Sequence, residues 1–100
     1  MAKEIRWTKE AEVTYQKVIT YLEENWTDKE VGNFVNISNK IIFFISENPF
    51  MFRQSNKKNV HEALITKHNL LLYRVKSNHI ELLTFWDTRQ NPNKKLKHKK

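Results

Sequence analysis

The sequence has no cysteine, a single glycine and only two prolines among its 100 residues. The lack of cysteine excludes a disulfide scaffold, a thiolate zinc site and a cysteine nucleophile. The scarcity of glycine and proline argues against a turn-rich all-β sandwich. The one glycine, Gly32, falls within a helical pattern, so a glycine-rich phosphate loop is absent as well. No apolar run approaches the roughly 18 residues that a membrane-spanning helix needs.

The beginning and the end of the sequence carry charge rather than apolar runs. The N-terminal residues lack the apolar core of a secretory signal peptide, so we expect a cytoplasmic protein with no membrane partner. The length suits one domain with one small core, which we place at residues 1–92. Residues 93–100 contain five lysines and no acid, and we expect a basic, disordered tail there.

The net charge of +7 is unevenly distributed along the chain. Residues 1–47 carry −2, residues 48–93 carry +4, and residues 94–100 carry +5. The basic excess therefore lies in the C-terminal half and the tail. Such a balance favours polyanions or acidic proteins as partners, although a terminal lysine run can simply be solvated.

The first half of the chain predicts a strand and two helices. Residues 3–7 alternate as in a short strand, and Thr8 can cap a following helix that should end near Asn25. Thr27 and Glu30 have the spacing of a capping box that opens a second, more apolar helix. That helix should stop at Asn48-Pro49, because the residue before proline is disfavoured in helical backbone. The short connection implies an antiparallel helical hairpin.

The second half predicts three strands, at residues 60–67, 70–76 and 79–86, joined by turns at His68-Asn69 and Ser77-Asn78. We therefore predict an α+β fold in β-α-α-β-β-β order. It has an antiparallel sheet, with the helical hairpin on one face and the other face partly open. The first strand should join this sheet, since its backbone groups need partners. The apolar run Phe50-Met51-Phe52 is interpreted as a plug at the edge of the core, with an exposed partner-binding patch as the alternative.

Most signatures of catalysis are absent. The four histidines lack metal-ligand spacing, no serine has a triad context, and we predict no metal and no cofactor. The candidate chemistry lies in basic groups on or beside the predicted sheet. Alternation places His61 and Lys67 on one face of their strand. Such groups can bind phosphates, transfer protons or stabilise a charged transition state, although each alone can be a solvated surface residue. The set consists of Lys57, Lys58, His61, Lys67, Arg74 and Arg89.

The element order at this length resembles the RelE/ParE superfamily of bacterial toxins, also called plasmid stabilization proteins. The resemblance extends over residues 3–92 and is carried by five stretches that share its order and spacing. These stretches are Ile5-Arg6-Trp7-Thr8 with Ala11, Tyr15 with residues 19–22, residues 41–49, residues 70–75, and residues 80–92. The resemblance implies the toxin of a type II toxin–antitoxin pair, bound and neutralised by a small antitoxin in a hetero-oligomer.

The resemblance leaves the target open between two branches. The RelE-like branch cleaves messenger RNA on the ribosome. In that reading, His61, Arg74 and Arg89 are the catalytic candidates, and Lys57, Lys58, Lys67 and Arg89 bind the nucleic acid or other target. The chain matches that residue set only in part, because Leu70 stands where ribonuclease members tend to have arginine. We therefore favour the ParE-like branch, associated with inhibition of DNA gyrase, and leave open whether the chain is an enzyme. An inactive relative that still binds its antitoxin is a third hypothesis.

Overall fold

Two helices and five strands follow one another along residues 2–89, the part of the chain described by the computed structural model. The predicted basic tail at 93–100 and the last residues of the predicted domain lie outside this range. The α+β class and the position of the helical hairpin before the main strands are confirmed. The elements are β1 (Glu4–Trp7), α1 (Lys9–Asn25), α2 (Asp28–Glu47), β2 (Arg53–Gln54), β3 (Val60–Thr66), β4 (Asn69–Val75) and β5 (His79–Asp87).

The strands form one sheet in the order β1-β5-β4-β3-β2. Strands β2 to β5 are antiparallel, as predicted, but β1 runs parallel to β5, with Glu4 opposite His79 and Trp7 opposite Leu82. The sheet is therefore mixed rather than antiparallel. Alternation of side chains marks a strand but not its direction, which depends here on the path of the chain through both helices.

The helices pack against one face of the sheet and form the main core there. An aromatic cluster belongs to this core and extends to its edge at Trp7, which is 37% exposed. Tyr15 contacts Trp7, Phe34 and Phe85 with ring centroids 4.9–5.4 Å apart. Ala11, Ile45 and Tyr73 are completely buried in the same cluster. Edge-on and tilted ring contacts of this kind add to the stability gained from apolar burial.

The opposite face carries a second, smaller apolar cluster. Val60, Leu72 and Leu83 are buried there, with Leu70 and Trp86 packed against them. This face is therefore closed at its centre, while Leu64 remains exposed, which agrees with the prediction of a partly open face.

The strand pairs contain two register shifts, one between Leu64 and Thr66 in β3 and one in the β4–β5 pair between Leu72 and Tyr73. β3 ends at Thr66, and the turn falls at Lys67-His68, one residue earlier than predicted. Lys67 therefore belongs to the turn and does not share a strand face with His61. Simple alternation does not anticipate an extra residue in a strand.

The connection between α2 and β3 is only partly the predicted plug. Phe52 packs against the core, edge-on to Tyr73, and the Tyr73 hydroxyl donates a hydrogen bond to the Pro49 carbonyl at 2.7 Å. Phe50 and Met51, however, are 65% and 55% exposed, so the plug interpretation is wrong for these two residues. The two-residue strand β2 follows them and was not predicted.

Both helices begin at the residues predicted from the sequence. Thr8 caps α1 by accepting a hydrogen bond from the Ala11 amide at 3.1 Å. Thr27 is the N-cap of α2, but its hydroxyl bonds the Glu30 carboxylate instead of the helix backbone, so the capping box is incomplete. This hydrogen bond lowers the pKa of Glu30.

Candidate functional site

A cleft of about 620 Å³ opens between the helical hairpin and the end of the sheet where β3 and β4 meet. Its floor and inner walls are apolar and its rim is polar, the usual character of a binding site. The floor includes Val18, Leu22, Phe34 and Phe85, and the more exposed lining residues are Glu10, Lys17, Tyr21, Trp26, Glu30, Ile37, His68, Asp87 and Arg89.

Two threonines, the N-cap of α1 and one within it, connect the helix to β5 and so position the cleft. The Thr8 hydroxyl donates to the Leu82 carbonyl at 2.7 Å, and the Phe85 amide donates to the Thr14 hydroxyl at 2.9 Å. Between these points β5 has an extra residue, since Leu82 pairs with Tyr73 and Thr84 with Leu72. Backbone groups of β5 on either side of the extra residue therefore bond to Thr8 and Thr14. The sequence predicted Thr8 only as a cap, and nothing in it singled out Thr14.

Arg89 lies at the rim of the cleft, two residues after the end of β5. Its guanidinium donates two hydrogen bonds to the Asp87 carboxylate, at 3.0 and 2.9 Å, and its amide donates a third at 2.9 Å. These bonds lower the pKa of Asp87, with the Arg89 side chain as the main cause. The guanidinium stays about half exposed. It can therefore still meet an anionic group of a ligand, although Asp87 already satisfies part of its charge.

Lys67 and His68 lie beside Arg89 at the same end of the sheet. The Thr88 amide donates to the His68 carbonyl at 2.9 Å, and the Thr88 hydroxyl donates to the Lys67 carbonyl at 3.0 Å. These bonds join the β3–β4 turn to the end of β5. The sequence selected Lys67 and Arg89 as candidates but not His68, whose position in the cleft depends on the shifted turn.

His61 is placed differently from the surface base that the ribonuclease hypothesis requires. Its ring stacks on Tyr73 with centroids 5.5 Å apart, and Phe50 contacts it edge-on at 5.7 Å. The residue is only 5% exposed, and its Nδ1 atom has no hydrogen-bond partner. Burial lowers the pKa of His61, which favours the neutral imidazole.

The remaining candidates lie at the His61 end of the strands. Arg74 is half-buried beside Val60 and Glu81 of the neighbouring strands, and its Nε atom is buried without a partner. Lys57 and Lys58 lie in the loop between β2 and β3.

The structure thus divides the predicted site into two groups. Asn69 pairs with Asp87 at one end of β4, while Tyr73 and Arg74 at the other end pair with His61 and Val60. Four or five strand residues separate these positions, about 13–17 Å. Lys67 and Arg89 therefore form one group, and Lys57, Lys58, His61 and Arg74 form the other.

Two other classes of site were sought among residues 2–89. No group of three or more histidine, aspartate or glutamate side chains lies close enough together there to bind a metal ion. None of the helices in that range is both long and apolar enough to cross a bilayer.

Comparison with known proteins gives similarity in structure but not in sequence. No protein-family model matches the chain, and no curated protein matches it. Among solved structures, the chromosomal ParDE TA system from P. aeruginosa matches with a TM-score of 0.73 and 15% identity, over 86% of this chain and 96% of that one. The YoeB dimer from Staphylococcus aureus matches with a TM-score of 0.59 and 20% identity, over 86% and 97% of the two chains.

A third match is the DinJ-YafQ toxin-antitoxin complex of E. coli, with a TM-score of 0.60 and 8% identity, over 87% of this chain and 93% of that one. These likenesses cover nearly the whole of each related chain, and they agree with the element order and the position of the hairpin. The chain therefore has the fold of the RelE/ParE superfamily of toxins.

Proposed function

We propose that this chain is the toxin of a type II toxin–antitoxin pair, of the ParE-like branch. It inhibits growth by binding a cellular protein, DNA gyrase, and a small antitoxin neutralises it. The observation that carries the choice of branch is the separation of the candidate ribonuclease residues. The fold likeness to toxin–antitoxin structures supports the toxin role.

Cleavage of RNA by acid–base catalysis needs its groups within hydrogen-bond reach of one phosphate. His61 is buried between aromatic rings, and about 13 Å of strand separates its pair partner Tyr73 from the Arg89 end of the sheet. The two residues cannot act on the same phosphate in this arrangement. A protein-binding toxin has no such requirement.

The cleft supports the antitoxin partner. An apolar floor with a polar rim suits an amphipathic segment, whether helical or extended. Trp26 on the rim is 58% exposed and Tyr21 is exposed as well, so apolar surface is available for burial in a complex. The net charge of +7 favours an acidic antitoxin through electrostatic complementarity. The similar structures include a YoeB-YefM complex and a DinJ-YafQ complex, which is consistent with such a partner.

The alternative function is a RelE-like, ribosome-dependent mRNA endoribonuclease. One observation favours it: Lys67, His68 and Arg89 lie together at the end of the sheet, beside the cleft. In this version, Arg89 and Lys67 bind phosphate and His68 replaces His61 as the proton-transfer group.

The decisive experiment induces the chain alone in bacteria and follows DNA and protein synthesis in parallel by pulse labelling. We expect DNA synthesis to fall first and purified gyrase to lose supercoiling activity when the protein is added. The double variant His68→Ala/Arg89→Ala is the control. An early fall in translation that this variant abolishes would establish the ribonuclease alternative. Normal growth on induction would overturn the toxin proposal and favour the inactive relative.

A further inference from the structure

A second surface, at the opposite end of the strands from the cleft, combines exposed apolar and cationic side chains. We call it the β2 corner, and it consists of Phe50, Met51, Arg53, Lys58 and the half-buried Lys57. More than half of Phe50 and Met51 is exposed, and the Arg53 side chain is 81% exposed. None of these residues lines the cleft. These side chains therefore belong neither to the core nor to the cleft.

The β2 corner is held in place by the sheet beneath it. The Tyr73 hydroxyl binds the Pro49 carbonyl just before Phe50, and the Phe50 ring contacts His61. The Ser55 amide donates to the Val60 carbonyl at 2.8 Å, and the Lys57 amide donates to the Ser55 hydroxyl at 3.0 Å. Backbone fixed in this way loses little conformational entropy when a partner binds.

The charge of the β2 corner is of one sign. Residues 50–61 contain three cationic side chains and no carboxylate. Arg53 reaches an acid only across the strand pair, at 3.7 Å from Glu62. A ligand that complements this surface is negatively charged.

The apolar residues indicate the class of ligand. Large exposed apolar side chains close together mark interaction surfaces, and aromatic residues, methionine and arginine are enriched in protein interfaces. A nucleic acid would neutralise the cations and stack on Phe50, but Met51 has no ring on which a base can stack. A protein segment with both acidic and apolar residues can pair with the cations and also cover Phe50 and Met51.

We propose that the β2 corner docks a protein segment in which acidic residues alternate with leucine or phenylalanine. This site is separate from the cleft, and the inference does not rest on the toxin assignment, because it concerns binding by the purified chain.

The test measures binding of a fluorescent twelve-residue peptide of glutamate, leucine and phenylalanine to the full chain, by anisotropy and by amide NMR shifts. We expect shifts centred on residues 50–58. We also expect Phe50→Ser/Met51→Ser and Arg53→Glu each to weaken binding about tenfold or more, as truncation of central anchors does. The matched controls, Val13→Ser for an exposed apolar residue and Lys40→Glu for an exposed cation, should bind as the parent does. Circular dichroism melting confirms that each variant is folded.

Three outcomes would overturn the proposal. One is affinity unchanged by the corner variants. Another is equal binding of a peptide with glycine in place of leucine and phenylalanine, which would reveal attraction by charge alone. The third is tighter binding of a twelve-nucleotide oligothymidine at the same residues, which would assign the corner to nucleic acid. None of these outcomes alters the expected growth phenotype, so failure here is distinct from failure of the proposed function.

Discussion

His61 illustrates how one residue can satisfy a pattern and still have a different environment. Its type and its place in a basic segment made it a catalytic candidate, but its ring lies between Phe50 and Tyr73. The pattern of residues could not show this, because the face of the strand that meets the helices is decided by packing across the whole sheet. Arg89 differs, since its position just after β5 follows directly from the strand pattern and the structure leaves it partly exposed.

The burial of His61 predicts how stability depends on pH. Its pKa is lowered in the folded state, so the unfolded chain binds a proton more readily as pH falls. Below the ordinary histidine pKa of about 6.5, protonation therefore favours unfolding, and this contribution to stability is restored as pH rises.

The measurement is urea unfolding at about pH 7.5 and pH 5.5 for the parent and for His61→Phe, which keeps an aromatic ring on Tyr73. We expect the parent to lose free energy of unfolding at the lower pH and the variant to lose clearly less. This window lies above the range in which exposed carboxylates titrate. Equal losses in the two proteins would show that His61 is not the source.

At the scale of elements, the order of helices and strands was predictable and their exact pairing was not. Apolar spacing and Thr8 located α1, and Asn48-Pro49 located the end of α2, because these are local preferences. The parallel pairing of β1, the short strand β2 and the two register shifts depend on contacts between distant segments. The candidate cleft combines both elements of the hairpin with the sheet end, so only parts of it could be found beforehand.

The contact between α1 and β5 can be tested by a single substitution. Replacing Thr14 with valine keeps the shape and removes the acceptor of the Phe85 amide. We expect a cost of about 1–3 kcal/mol in unfolding free energy, since a backbone donor is left without a partner.

Chemical denaturation of Thr14→Val measures this cost. Thr20→Val is the matched control, because Thr20 lies on the exposed side of the same helix and should change stability by less than about 0.5 kcal/mol. A loss of similar size in both variants would mean that helix propensity, not the bond to β5, is responsible.

At the scale of the whole molecule, the candidate surfaces lie at opposite ends of the strands and the net charge is +7. The cleft has acids and bases on its rim, whereas the charged residues of the β2 corner are all cations and lie beside exposed apolar side chains. One face of the sheet is covered by helices and the other has its own apolar cluster. Partners are therefore expected at the ends of the sheet rather than on its faces.

The overall charge predicts the kinetics of association with the proposed antitoxin. An excess of positive charge accelerates the approach of an acidic partner, and salt screens that attraction. We expect the association rate to fall about tenfold between roughly 0.05 and 0.5 M sodium chloride, with a much smaller change in the dissociation rate. Stopped-flow fluorescence of the purified pair measures both. An association rate independent of salt would contradict the expected role of charge.

The parallel pairing of β1 with β5 also determines when a newly made chain can fold. The Leu82 carbonyl accepts a hydrogen bond from the Thr8 hydroxyl, and the Phe85 amide donates one to the Thr14 hydroxyl. Among the described residues β5 is also the only strand that pairs with β1, so β1 and α1 cannot dock until β5 has been made. Contacts between such distant segments fold late because a long loop must close before they form. A nascent chain that does not yet include β5 therefore has neither the cleft nor the β1 edge of the sheet. If the cleft binds the antitoxin, recognition begins only after β5 has been made.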